Sequence, residues 1–241
     1  MTTDQSLKIS DPKKVKTWVQ LIAVLIGVLP LYSSLILYQI RKGQAPSNQG
    51  FILYLAVICP LSILIALLLL RFLCKESYSG LNLKPGKWHS ELLSTIILAF
   101  IIIITNVISQ YLLSELLPTS ASDSNIRNLF MEMTSSPGML LIFIGPLVFL
   151  GAASEEIVRV FFLNRLWKVW PSTAVKLIFL AISACLFGLI HFYQGPVHVI
   201  WASVFGLIMG IHYLLFGRVL PLISAHYLTN ALQVIVVALS Q

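Results

Sequence analysis

"GAASEEIVRVFFLNRL", residues 151–166, places Glu155, Glu156 and Arg159 near the middle of an apolar run that begins at Met139. A charged side chain at the centre of a bilayer-spanning helix costs about 2.5–3.5 kcal/mol and almost always faces the bundle interior with a partner. The stretch is therefore read as a membrane helix whose polar face is turned toward other helices. Glu155 and Arg159, four residues apart, share a helix face and can pair. That leaves one carboxylate over, which calls for chemistry or for a partner on another helix.

The rest of the chain supports a membrane reading. Of 241 residues, 58% are hydrophobic and 10% charged, where a soluble domain carries about 25% charged residues. The apolar residues gather into runs of the length that crosses a hydrocarbon core of about 30 Å. Seven spans are expected, at 18–40, 52–73, 92–114, 139–166, 175–193, 197–216 and 220–239. The fold class is thus all-α, a polytopic transmembrane helical bundle forming a single membrane domain over 1–241, with a basic tail at 1–17. "YQGP", residues 193–196, alone separates two spans; Gly195 and Pro196 break the helix there and allow the turn to sit within the bilayer. Cys59, Cys74 and Cys185 lie in or beside apolar runs without the spacing of a disulfide framework or a metal knuckle.

Lys8, Lys13, Lys14, Lys16, Arg71, Lys75, Lys84, Lys87, Arg165, Lys168, Lys176 and Arg218 fall on the side of the N-terminus, and only Arg41, Lys42 and Arg127 on the other. Positive residues collect on the cytoplasmic side, so the expected orientation has the N-terminus cytoplasmic, in the cell membrane. The formal charge of +7 reports this topology and contact with anionic membrane lipids. No basic stripe interleaved with aromatics is present, and nucleic acid is not an expected partner. Between the third and fourth spans, "SNIRNLFMEM" (124–133) sets Ile126, Leu129, Phe130 and Met133 at helical spacing, which predicts an interfacial amphipathic helix, with an ordinary structured loop as the alternative.

Two later stretches supply partners for the acid. "FGLIH" ends in His191, and "HYLTN" holds His226 and Asn230 one turn apart on one face. At a rise of about 1.5 Å per residue, Glu155, His191, His226 and Asn230 lie about 18, 22, 12 and 18 Å from the cytoplasmic ends of their helices, close enough in depth to meet. A carboxylate can take a proton from water, while imidazole and amide groups can bind a metal, orient the water or donate to an oxyanion. Peptide-bond hydrolysis fits these parts. His198 and His212 fall outside the motifs and are assigned to packing or the interface. Gly188, Gly206 and Gly210 are read as permitting close helix approach, and Trp18, Trp88, Trp167, Trp170 and Tyr193 as interface anchors.

The ordered set "EEIVR", "FGLIH" and "HYLTN" resembles the CPBP family of intramembrane proteases, also called the abortive-infection or type II CAAX prenyl protease family, over about residues 139–240. The resemblance implies that Glu155 activates water, that His191 assists, and that His226 and Asn230 stabilise the oxyanion or help hold a metal, with Glu156 and Arg159 completing the first motif. The substrate would be a membrane-associated peptide or protein. Glu155, His191 and His226 are the candidate ligands for a divalent metal such as zinc, which accepts Glu and His; a metal-free glutamate mechanism uses the same residues.

One departure is visible. The family pattern is E-E-x-x-x-R, whereas only Ile157 and Val158 separate Glu156 from Arg159. Aligned on the Glu pair, Glu155 is the base. Aligned on Arg159, Ser154 takes its place and the chain would be an inactive membrane scaffold or chaperone. A π-bulge within the motif would absorb the missing residue. A transporter using the buried charges as a proton relay is a third reading.

Overall fold

Ser47, Ser136 and Ser172 set where three of the long helices begin. Each side-chain oxygen accepts from a backbone N–H three residues on, of Gly50 (3.2 Å), Met139 (3.3 Å) and Val175 (3.4 Å), satisfying a donor that the helix leaves open. Because these caps are polar, the helices start several residues before the apolar runs that predict them. The computed structural model describes residues 15–40, 47–116 and 121–240. Most of the basic tail, including Lys8, Lys13 and Lys14, lies outside the described residues, as do Arg41, Lys42 and the side chain of Ile126.

Among the described residues eight long helices follow in order, besides short 3₁₀ turns: α1 (Thr17–Ile40), α2 (Asn48–Leu73), α3 (Trp88–Leu116), α4 (Ala121–Met133), α5 (Pro137–Val169), α6 (Thr173–Ile190), α7 (Pro196–Phe216) and α8 (Leu220–Leu239). No strand occurs among the described residues. Six of them, α2, α3 and α5 to α8, are long and apolar enough to cross a membrane; α1 has a shorter described apolar stretch, Thr17–Ser33. The count is close to the seven spans expected, and the protein is an integral membrane protein. α4 is the helix predicted between the third and fourth spans; Leu129 and Met133 are buried, and the ring of Phe130 meets those of Phe51 and Phe143.

α5 is the central element, packed against α1, α2, α6 and α8. Its residues Val158, Phe161 and Leu163 are sealed in the core with Leu31, Leu70, Met209 and Leu222. α3 packs against α7 and α8 and turns Ile96, Ile97, Phe100, Ile104 and Ile108 outward, as a lipid-facing helix must. Two of the spans contain π turns near prolines: Tyr54–Ile58 just ahead of Pro60, and Phe143–Leu147 around Pro146. A proline lacks the N–H and crowds the preceding turn; a widened turn absorbs both effects without breaking the helix.

α6 and α7 form the tightest pair. They are joined by a 3₁₀ turn, Phe192–Gln194, and by Gly195, whose φ of 102° favours glycine. A Cβ at Gly188 of α6 would collide with Ser203 Oγ and the Val199 carbonyl oxygen of α7, and one at Gly206 would press on Phe187 at 3.1 Å. These glycines allow the close approach predicted for them.

At the end of the bundle that carries the C-terminus of α5, Arg165 is fully buried and holds both oxygens of Glu76, at 2.6 and 2.8 Å. Lys168 also pairs with Glu76, and Asn164 Nδ2 donates to Gly80 O and Tyr213 Oη, both at 3.1 Å. The three cysteines are unpaired, Cys59 and Cys74 buried and Cys185 exposed.

Gly188→Ala should lower stability by about 1–3 kcal/mol through overpacking of α6 on α7, measured as a fall in Tm of the detergent-solubilised protein. At Glu76, burial acts to raise the pKa, but hydrogen bonds and charge from Arg165 and Lys168 outweigh it and hold the carboxyl below its ordinary value. A depressed folded-state pKa contributes stability above the unfolded pKa, which disappears as pH falls through the folded value. The Tm difference between wild type and Glu76→Gln should accordingly be largest near neutral pH and shrink as the pH drops below about 4.

Candidate active site

Successive residues on an α-helix point about 100° apart, and Glu155 and Glu156 have opposite surroundings. Glu156 is fully buried, pairs with Arg159, and accepts from His226 Nδ1 at 2.9 Å. Arg159 also donates through NH1 to Gly206 O at 3.0 Å and lies 4.9 Å from the centroid of the Phe187 ring. Glu155 instead faces a cavity, with its side chain 13% exposed. The expected pairing of Glu155 with Arg159 is therefore overturned, and the left-over carboxylate is the first of the pair. The reason is desolvation: Glu156 has no water to solvate its charge and must take the cation, since an unpaired buried charge is far more costly than a paired one.

This geometry also accounts for the short motif. In E-E-x-x-x-R the second Glu stands four residues before the Arg; here it stands three before. Both spacings put the two side chains on one face, so the pair between the second Glu and the Arg forms without a bulge. Val148–Val169 is unbroken α-helix, and the π turn lies upstream at Phe143–Leu147 rather than within the motif. Ser154 is fully buried and donates to Gly151 O at 2.9 Å, so it does not occupy the cavity position.

The two histidines are each fixed through Nδ1. His191 caps the C-terminus of α6, and its Nδ1 contacts Phe187 O at 2.9 Å. A carbonyl only accepts, so Nδ1 carries the hydrogen and neutral His191 presents Nε2 as an acceptor. His226 is bonded through Nδ1 to Glu156, and its Nε2 stands 3.6 Å from Glu155 Oε2. Phe205 (4.7 Å between centroids) and Phe187 (6.0 Å) hold the His226 ring edge-on. Arg159, Glu156, His226 and Glu155 thus form one chain of groups crossing from the core to the cavity.

The cavity has a volume of about 630 Å³, and Glu155, His191 and Asn230 line it; His226 sits behind Glu155, buried. Its wall also includes Tyr54, Asn106, Gln110, Arg127, Tyr193, Gln194, His198 and Gln233, none of which the motifs pick out. His198, expected to serve packing or the interface, and Tyr193, expected to be an interface anchor, both belong to this wall. Asn106 and Gln110 carried a readable signal: two amides one turn apart in the apolar "ITNVISQ" (104–110), the pattern that made Asn230 noticeable. His212 is outside the cavity and hydrogen-bonds Ser94 Oγ at 2.8 Å, a packing role as expected.

The candidate metal set does not assemble. Among the described residues no three His, Cys, Asp or Glu side chains group so that they could hold a metal ion. Glu155 and His226 are neighbours, with 3.6 Å between Oε2 and Nε2, and His191 is held separately, at the end of α6, through Nδ1.

The helical bundle of this integral membrane protein encloses an acid, an imidazole and an amide in one cavity, groups with the chemistry that hydrolysis within a membrane calls for. Residues 137–232 match the family described as type II CAAX prenyl endopeptidase, Rce1-like. The match covers the segment that bears all three motifs and supports, at family level, an intramembrane CAAX-type endopeptidase. No curated protein and no solved structure gives a match to the chain.

Arg159→Ala should destabilise the protein by about 3–5 kcal/mol, since it leaves Glu156 buried and without its cation. The double variant Arg159→Ala/Glu156→Gln should lose less than the sum of the two single changes. Thermal unfolding of the four proteins in one detergent measures both quantities.

Proposed function

We propose that this protein is an intramembrane endopeptidase that hydrolyses a peptide bond of a membrane-associated peptide or protein with water activated by Glu155. The observation that carries the proposal is the division of labour between the two glutamates. Glu156 is spent on Arg159 and His226 Nδ1, and Glu155 is left facing the cavity with His226 Nε2 at 3.6 Å.

In this mechanism a water lies between Glu155 and the substrate carbonyl. Neutral His191 accepts one of the water's hydrogens at Nε2, which aims an oxygen lone pair at the carbonyl carbon. Glu155 takes the other proton as the C–O bond forms. The adjacent His226 shares that proton through Nε2, and Glu156 steadies the resulting imidazolium from the other side. Asn230 donates its amide N–H to the oxyanion. Collapse of the tetrahedral intermediate breaks the C–N bond, and the proton held by Glu155 and His226 goes to the leaving amine. No step requires a metal, in keeping with a donor set that does not converge on one. The excess of Lys and Arg on the N-terminal side supports a cytoplasmic N-terminus and residence in the cell membrane.

Glu155→Gln should reduce kcat by about 10²–10⁴-fold, the usual contribution of a positioned general base, with Tm within a few degrees of wild type. Asn230→Ala should cost about 10²–10³-fold. Cleavage of a quenched fluorescent peptide by purified protein in proteoliposomes, with products identified by mass, tests both. Undiminished cleavage by Glu155→Gln would remove the proposed base. Rescue of a deletion phenotype by a Glu155→Gln/His191→Ala/His226→Ala triple variant would show a scaffold instead.

A further inference from the structure

α3 and α8 each contribute a stripe to the cavity: Ile102, Ile103, Asn106, Val107 and Gln110 from α3, and a broader one from α8 that carries Thr229, Asn230 and Gln233 among Leu232, Val234, Val236 and Val237. Each runs about 12 Å along its helix. Each stripe is aliphatic except for side chains that can make backbone-like hydrogen bonds at successive turns. Asn106 Oδ1 is buried and has no hydrogen-bond partner among the described residues. A buried acceptor left unpaired is uncommon and costly, and its presence in a cavity wall points to an occupant that donates.

The spacing identifies the donor. Residues four apart on a helix are separated by about 6 Å along its axis. In an extended peptide the N–H groups on one edge recur every second residue, about 6.6–6.8 Å apart. Asn106 and Gln110 therefore stand at nearly the repeat of one edge of an extended chain, and a stripe of about 12 Å spans three to four extended residues. The flanking Ile, Val and Leu side chains suit aliphatic substituents and offer no charge to a polar one. Among the described residues, Arg127 and Glu155 are the only Arg, Lys, Asp or Glu side chains in the wall.

We propose that α3 is the edge on which the substrate is held unwound, with Asn106 Oδ1 accepting a backbone N–H beside the scissile bond and Gln110 the N–H two residues further on. This deepens the endopeptidase reading and rests on its peptide substrate, though not on hydrolysis. Recognition is of the backbone of an aliphatic stretch, and Asn106 is the residue that sets its register against Glu155.

The test uses full-length Glu155→Gln protein in detergent micelles, so that binding is read without cleavage. The probe is a fluorescently labelled aliphatic peptide, together with a series in which each backbone N–H in turn is replaced by an ester oxygen, and anisotropy gives Kd. Two esters, two residues apart, should each weaken binding about tenfold, the scale of one hydrogen bond to a buried partner. Adding Asn106→Leu should abolish the penalty of one ester, and adding Gln110→Leu that of the other. Because Asn106→Leu removes an unpaired buried acceptor, its Tm should be equal to or above that of the parent, which separates lost recognition from misfolding. Penalties scattered without a two-residue repeat, a penalty that survives Asn106→Leu, or no saturable binding would overturn the proposal. Whether wild type cleaves the peptide while Glu155→Gln does not is read separately, so a failure of the hydrolytic reading is distinguishable from a failure of this one.

Discussion

Glu156 holds a charge where water does not reach, and the arrangement around it follows from that cost. Its two neutralising contacts come from different directions: Arg159 from the next turn of the same helix, and His226 from α8. Arg159 is in turn tied to the Gly206 carbonyl of α7 and to the face of Phe187 on α6. One buried carboxylate thereby joins four helices. Placing it also fixes the angle of α5, and with it the side of the helix on which Glu155 must emerge. The paired glutamate is structural so that the unpaired one can face the cavity.

The same cluster sets the chemical state of the site. A carboxylate on Nδ1 of His226 makes that nitrogen the donor and leaves Nε2 toward Glu155. The Phe187 carbonyl does the same for His191. Both imidazoles therefore expose the same nitrogen, an outcome that depends on backbone and core contacts more than on the cavity residues themselves.

Much of this was legible from residue order. Length and apolarity of the runs gave the spans, with the starts displaced because serine caps precede the apolar residues they serve. Glu155, Glu156, Arg159, His191, His226 and Asn230 were legible as expensive polar groups at similar depth; the structure links Arg159, Glu156, His226 and Glu155 in a chain and sets Glu155, His191 and Asn230 in the wall of one cavity. Which glutamate meets Arg159 was not legible, because spacings of three and four residues both place partners on a shared face, and burial decides between them. The wall residue His198 was hidden for a different reason, since a lone imidazole in an apolar helix looks the same whether it joins two helices or lines a void; Asn106 and Gln110, two amides one turn apart, could have been picked out as a polar stripe, though not which helix they face.

The grip of Arg165 on Glu76 acts on α5 from its far end. A helix held at only one level can roll about its long axis, and a roll of one residue position would swing Glu155 off the cavity and bring Ser154 or Glu156 round in its place. Two oxygens clasped by one rigid, planar guanidinium leave little freedom to turn. The clasp works as an indexing pin seated at the edge of the bundle, well away from the reacting atoms. Loosening it would first blur the aim of the acid, before the fold itself gave way.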